Sequence, residues 1–175
     1  MRAARIVLVG FMGAGKSSVG EALAAQLGWR FQDMDRSIEE RTGQSVAEIF
    51  REHGEAFFRE QEKALAEELR GCEDVVVAAG GGAFAYPGTR EALQAGAVTV
   101  WLSCAFDTII ERIGGASDRP LATNHERMRE MFSAREASYR LADLAFDSTG
   151  ASPSELARRI LTAVRTEPPE PGAPR

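Results

Sequence analysis

The stretch that most restricts the fold is Arg5 to Ser18, R-I-V-L-V-G-F-M-G-A-G-K-S-S. A short apolar run, Ile6–Val9, passes through a glycine-rich loop into a segment of helical spacing, Lys16–Leu27, with Val19, Leu23 and Leu27 on one face. The loop from Gly10 to Ser17 fits G-x-x-x-x-G-K-[ST], and its strand-before, helix-after setting is the one this pattern needs. Glycines let successive backbone N–H groups curl around phosphate oxygens, and the helix start adds its dipole. Gly13, Ala14, Gly15, Lys16, Ser17 and Ser18 are the expected cradle for a nucleoside triphosphate. The Lys16 ammonium would neutralise the β and γ oxygens, and the Ser17 hydroxyl is a natural Mg²⁺ ligand. Only Lys16 and Lys63 are lysines, and every other basic residue is arginine, so the ammonium after Gly15 reads as required.

The rest of the chain repeats the strand–helix alternation, the pattern of an α/β protein with a mostly parallel sheet. Further strands are expected at Arg30–Gln32, Val75–Ala79, Val98–Leu102 and Leu144–Phe146. The first, third and fourth of the five are apolar almost throughout, as strands covered on both faces should be. Capping boxes at Ser45–Glu48 and Ser152–Glu155 open two helices, the second with Pro153 at its first position. A helix is also expected to begin near Ile38, and Phe58, Leu65 and Leu69 recur at helical spacing. Residues 1–166 read as one domain, 113–124 as a turn-rich lid, and the proline-rich 167–175 as a disordered tail.

A net charge of −5 argues against nucleic acid or an anionic membrane as main partner, and no apolar run is long enough to span a bilayer. Cys72 and Cys104 have no pairing or metal spacing and read as reduced core thiols of a cytoplasmic chain. Chain size and the lack of an obvious exposed apolar helix face fit a monomer.

A GTPase would carry N-K-x-D, which is absent. A motor ATPase would end a strand opposite the loop in an acid, but V-V-V-A-A runs instead into Gly80-Gly81-Gly82, where something must approach the backbone closely. The metal-supporting acid is then sought in Asp33-M-Asp35, whose alternation on an extended segment would put both carboxylates on one side. One would support Mg²⁺ and the other reach a substrate hydroxyl; the competing reading is a helix-start pair. Most of the arginines between residues 112 and 140 alternate with acids and read as solvated ion pairs. Arg119 stands apart in the lid, where a guanidinium could reach the transferring phosphoryl group. Arg59, behind Phe57-Phe58, suits a carboxylate ligand.

G-F-M-G-A-G-K-S, D-M-D, Phe58-Arg59, G-G-G, the lid R-P-L and the R-x-x-x-Y of Arg135–Tyr139 resemble, in order and spacing, the shikimate kinase family over about residues 5–165. The resemblance implies a three-layer P-loop kinase fold with a five-stranded parallel sheet in the order 2-3-1-4-5, flanking helices and a mobile lid. It implies transfer of the ATP γ-phosphate to the 3-hydroxyl of shikimate, with Mg²⁺. By motif, Asp35 would hold the shikimate hydroxyls and orient the attacking one, Arg59 and Arg135 would clamp the carboxylate, and Gly80, Gly81 and Gly82 would line the substrate. Ser17 and Asp33 would serve Mg²⁺, Lys16 and Arg119 the phosphoryl group in flight, and Arg112 the adenine. The chain departs from the family pattern at Ala137-Ser138, at R-P-L-A, and at S-T-G-A-S-P before the last helix. A gluconate kinase-like enzyme and a noncatalytic nucleotide-binding module remain the alternatives.

Overall fold

The computed structural model describes residues 5–114 and 125–166. Most of the expected lid, with Arg119, and the expected tail lie outside these residues. Five parallel strands form one sheet: β1 (Arg5–Val9), β2 (Arg30–Asp33), β3 (Val75–Ala78), β4 (Val98–Ser103) and β5 (Leu144–Asp147), in the order β2-β3-β1-β4-β5. Composition matches the split between centre and edge. The three apolar strands β3, β1 and β4 occupy the centre, while the more polar β2 and β5 form the edges, where part of each strand meets water. Register is set by pairs such as Val7 with Val77 and Leu8 with Val100.

The helices are α1 (Lys16–Leu27), α2 (Met34–Thr42), α3 (Val46–Glu52), α4 (Gly54–Leu69), α5 (Pro87–Gln94), α6 (Phe106–Gly114), α7 (His125–Tyr139) and α8 (Pro153–Thr166). Leu23, Phe58, Leu65, Leu93, Ile109 and Ile160 are buried and carry the helices' share of the core. Ser45 and Glu48 form both halves of a capping box on α3, an arrangement worth about 1 kcal/mol. At α8 the Ser152 hydroxyl accepts from the Glu155 N–H (3.2 Å), and Pro153 is the first helical residue, as expected.

Two readings need correction. The helix expected near Ile38 begins at Met34, because the Asp33 carboxylate caps it, accepting from the backbone N–H groups of Asp35 (3.1 Å) and Arg36 (3.3 Å). Asp33 and Asp35 therefore do not alternate along one extended segment; Asp33 ends a strand and Asp35 sits in the first turn of a helix. Arg5, at the start of β1, is buried, and its Nη2 donates to the Ala95 carbonyl (2.8 Å) at the end of α5. Cys104 is buried and Cys72 half-buried, and both are free thiols.

Candidate active site

The site forms at the carboxyl ends of β2, β3 and β1, where open α/β sheets place ligands. The loop after β1 turns on Gly10 (φ 143°), Gly13 (φ 78°) and Gly15 (φ 96°), backbone conformations that glycine adopts without strain. A Cβ on Gly10 would also stand 2.6 Å from the Leu102 carbonyl oxygen, so the loop lies against β4 too closely for any side chain. Gly15 offers α1 no side-chain cap, and the first turn of α1 holds no acid. Its first N–H groups have no intrahelical acceptors and are left for an anion. Lys16 folds over the loop, its Nζ donating to the carbonyls of Gly10 (2.8 Å) and Phe11 (3.0 Å).

Ser17 and Asp33 come together across the top of the sheet, the Ser17 hydroxyl donating to Asp33 Oδ2 at 2.5 Å. Asp33 uses both carboxylate oxygens: Oδ1 caps α2 while Oδ2 accepts from Ser17. Two adjacent hard oxygen donors beside a phosphate loop fit Mg²⁺, which binds few protein oxygens and shares the rest of its shell with water and phosphates. Among the described residues no group of three or more His, Cys, Asp and Glu side chains is placed to hold an ion.

The three glycines after β3 each lie against a different functional side chain. A Cβ on Gly80 would stand 2.7 Å from Asp35 Oδ1 and collide with Glu62 Oε1. On Gly81 it would meet the Met12 amide (3.3 Å) and Arg135 Nη1 (3.8 Å). On Gly82 it would stand 2.5 Å from Arg59 Nη2 and 2.7 Å from Nη1. The strip brings Asp35, Arg135 and Arg59 together around bare backbone, which is the close approach that G-G-G implied.

Arg59 is held from several sides. Its Nε and Nη2 donate to Glu55 Oε1 (3.1 and 3.0 Å), and its Nη1 pairs with Glu62 Oε2. The guanidinium carbon lies 4.8 Å from the centre of the Tyr86 ring and 5.4 Å from that of Phe58. These bonds engage three of the five N–H groups of the guanidinium and leave one on each terminal nitrogen.

Sequence reasoning missed Glu62, which is 1% exposed. Burial drives its carboxyl up to about 7; Arg59 opposes the shift and Asp35 adds to it. Its Oε1 has no hydrogen-bond partner among the described residues. A signal was available, since Glu62 stands three residues after Arg59 on the same helix face.

Tyr139 is buried on α7, and its hydroxyl donates to the Gly81 carbonyl. Burial pushes that hydroxyl up to about 12, so it remains a donor at neutral pH. Arg135, one turn earlier, hydrogen-bonds Tyr139 and lies 5.7 Å from the centre of the Phe11 ring. The R-x-x-x-Y pair therefore ties α7 to both the phosphate loop and the glycine strip. On the far side of that loop, Arg112 donates to the carbonyls of Gly13 (3.2 Å) and Ser148 (2.9 Å), and its Nη1 lies 3.5 Å from Cys104 Sγ. Arg112, Gly15, Ser18, Ala151 and Pro153 line a cleft there. Arg129 and Arg140, expected to be solvated, are exposed and paired with Asp107 (3.5 Å) and Glu136 (2.5 Å).

A phosphate loop on a 2-3-1-4-5 parallel sheet, with acids and arginines converging beside it, defines a P-loop kinase fold. The shikimate kinase family model matches residues 12–165. A shikimate kinase of Persephonella marina is 39% identical over 161 residues, covering 91% of this chain and 98% of that one. One from Geobacter sulfurreducens is 42% identical over 163 residues, covering 91% and 90%. Among solved structures, the Acinetobacter baumannii shikimate kinase in complex with shikimate superposes with a TM-score of 0.90 at 32% identity, covering 95% of this chain and 96% of that one. A gluconokinase from Sinorhizobium meliloti shares the fold at a TM-score of 0.61 and 22% identity, covering 94% and 93%. The chain belongs to the shikimate kinase family.

Proposed function

We propose that this protein transfers the γ-phosphate of ATP to the 3-hydroxyl of shikimate, releasing ADP and shikimate 3-phosphate. The observation that carries the reading is the glycine strip, which gathers one carboxylate, Asp35, and two guanidinium groups, Arg59 and Arg135, next to the phosphate loop. A ring acid bearing hydroxyls needs that set: cations for its carboxylate and a carboxylate for its hydroxyls.

Residue by residue, the loop amides and Lys16 hold the phosphates, and Lys16 would leave its loop carbonyls to follow the charge on the transferring group. Ser17 and Asp33 would hold Mg²⁺, which would supply charge neutralisation for the phosphates. Asp35 orients the attacking hydroxyl and accepts its proton. Arg59 and Arg135 fix the carboxylate, with Gly80, Gly81 and Gly82 admitting the substrate to the backbone. Arg112, which lines the neighbouring cleft with Ser148, Ala151 and Pro153, would lie against the adenine, with backbone contacts from the stretch before the last helix. Arg119 belongs to the same scheme as a lid residue stabilising the phosphoryl group. Most of the acceleration is positioning and charge stabilisation, the usual division of labour in phosphoryl transfer.

Among the described residues no helix is long and apolar enough to cross a membrane, and a cytoplasmic monomer is the form we propose. Asp35→Asn tests the scheme: shikimate-dependent ADP release should fall by at least about a hundredfold while MgATP binding persists, in line with loss of a general base. Turnover at the wild-type rate would remove Asp35 from the mechanism.

A further inference from the structure

Tyr86 stands where the glycine strip turns into α5, as the residue before Pro87. Its backbone conformation is extended (φ −95°, ψ 120°), and the ring is 40% exposed. A ring so placed owes little to core packing. It crosses instead to the first turn of α4, where its hydroxyl donates to Glu55 Oε1 at 2.9 Å. That same oxygen accepts from Nε and Nη2 of Arg59, while the face of the Tyr86 ring lies against the guanidinium. Burial works to raise the Glu55 carboxyl, and the bonds from Tyr86 and Arg59 outweigh it and hold it below its ordinary value. Tyr86 therefore restrains Arg59 twice, directly through its ring and indirectly through Glu55.

We infer that Tyr86 is a substrate-positioning residue that fixes Arg59 against Gly82 and aims its two remaining N–H groups at the carboxylate of the acceptor. The inference rests on the proposal that Arg59 binds that carboxylate. The chemistry favours this role. An arginine spends rotamer entropy when it grips a ligand, and a guanidinium already stacked and bridged has less left to lose. Glu55 and Tyr86 together occupy the Nε side, so the substrate is offered the terminal pair in one orientation. The ring also covers one face of the cation.

The experiment compares Tyr86→Phe, Tyr86→Ala, Glu55→Gln, the Tyr86→Phe/Glu55→Gln pair and Arg59→Ala, measuring KM for shikimate, KM for ATP and kcat in each. Tyr86→Phe keeps the ring and should raise KM for shikimate about 3-fold, and Tyr86→Ala about 10-fold or more, with KM for ATP and kcat within about 2-fold of wild type. The double variant should lose no more than Glu55→Gln alone, because the hydroxyl acts through that carboxylate. A role confined to stability would move melting temperature and leave this split flat. If Arg59→Ala raises KM for shikimate while neither Tyr86 variant does, the inference about Tyr86 fails and the arginine clamp stands. If Arg59→Ala leaves it unchanged, the acid-binding reading itself fails. A fall in KM in Tyr86→Phe would also overturn the inference, showing that the bridge competes with the substrate. Should Tyr86→Ala not fold, the isosteric Tyr86→Phe decides.

Discussion

Replacing Gly82 by alanine isolates the contact on which the acid-binding reading depends. The backbone at Gly82 is right-handed (φ −102°, ψ −16°), so alanine fits there without strain. Its methyl group does not fit. The new Cβ would stand 2.5, 2.7 and 2.8 Å from Nη2, Nη1 and Cζ of Arg59, where ordinary contact begins near 3.4 Å, so the guanidinium must retreat by about 0.6 to 0.9 Å. Retreat is opposed by Glu62, by Glu55 and by the rings of Tyr86 and Phe58. Arg59 therefore loses its aim or breaks its own ion pairs. A charge-assisted hydrogen bond is worth about 1.5–3 kcal/mol, which corresponds to about 10- to 150-fold in KM for shikimate. KM for ATP should stay within about 2-fold, since no phosphate-loop atom lies among the three nearest to that Cβ. Gly71→Ala is the control, because a Cβ there meets nothing within 4 Å. A coupled assay for ADP, with thermal melts of both variants, reads the outcome. A folded Gly82→Ala protein with unchanged KM for shikimate would refute the reasoning, as would an equal loss in Gly71→Ala.

Glu62 makes stability depend on pH. Its carboxyl is raised from 4.5 to about 7, so no penalty applies below the unfolded value. Stability should fall as pH climbs from 4.5 to about 7 and level off above, by about 3 kcal/mol in total; denaturant titrations should show that slope in wild type and a flatter one in Glu62→Gln. Asp33→Asn keeps the α2 cap, because asparagine caps as well as aspartate, but removes charge beside Ser17. Its activity should need several-fold more Mg²⁺ for half-saturation while its melting temperature changes little, and an unshifted Mg²⁺ titration would take Asp33 off the metal. Arg112→Ala should raise KM for ATP about 10-fold, as expected for loss of a charge-assisted contact, and leave KM for shikimate unchanged.

Much of this was legible in the sequence because it is local. The phosphate loop needs glycines at fixed offsets between a strand and a helix, and the chain spells them out from Gly10 to Ser17. The apolar strands announced by their composition that both faces are covered, while the strand order came from the family resemblance. The capping box at Ser45 likewise depends on residues three apart. What escaped depends on contacts between elements distant in the chain. The Asp33 cap is a local exception: the helix-start reading of Asp33 and Asp35 was open in the sequence, and the helix it opens simply begins four residues before Ile38. The tie of Tyr86 to Glu55 spans 31 residues, and that of Arg112 to Ser148 spans 36. Neither has a local pattern to announce it. The burial of Arg5 is of the same kind: carbonyls at the end of α5, about ninety residues away, take its guanidinium into the core.

The most direct test of the account is ADP release by the purified protein with MgATP, run in parallel with shikimate, with gluconate and with no acceptor. Release should be rapid with shikimate alone and at background with the other two. Equal slow release in all three, or release that follows gluconate, would contradict it.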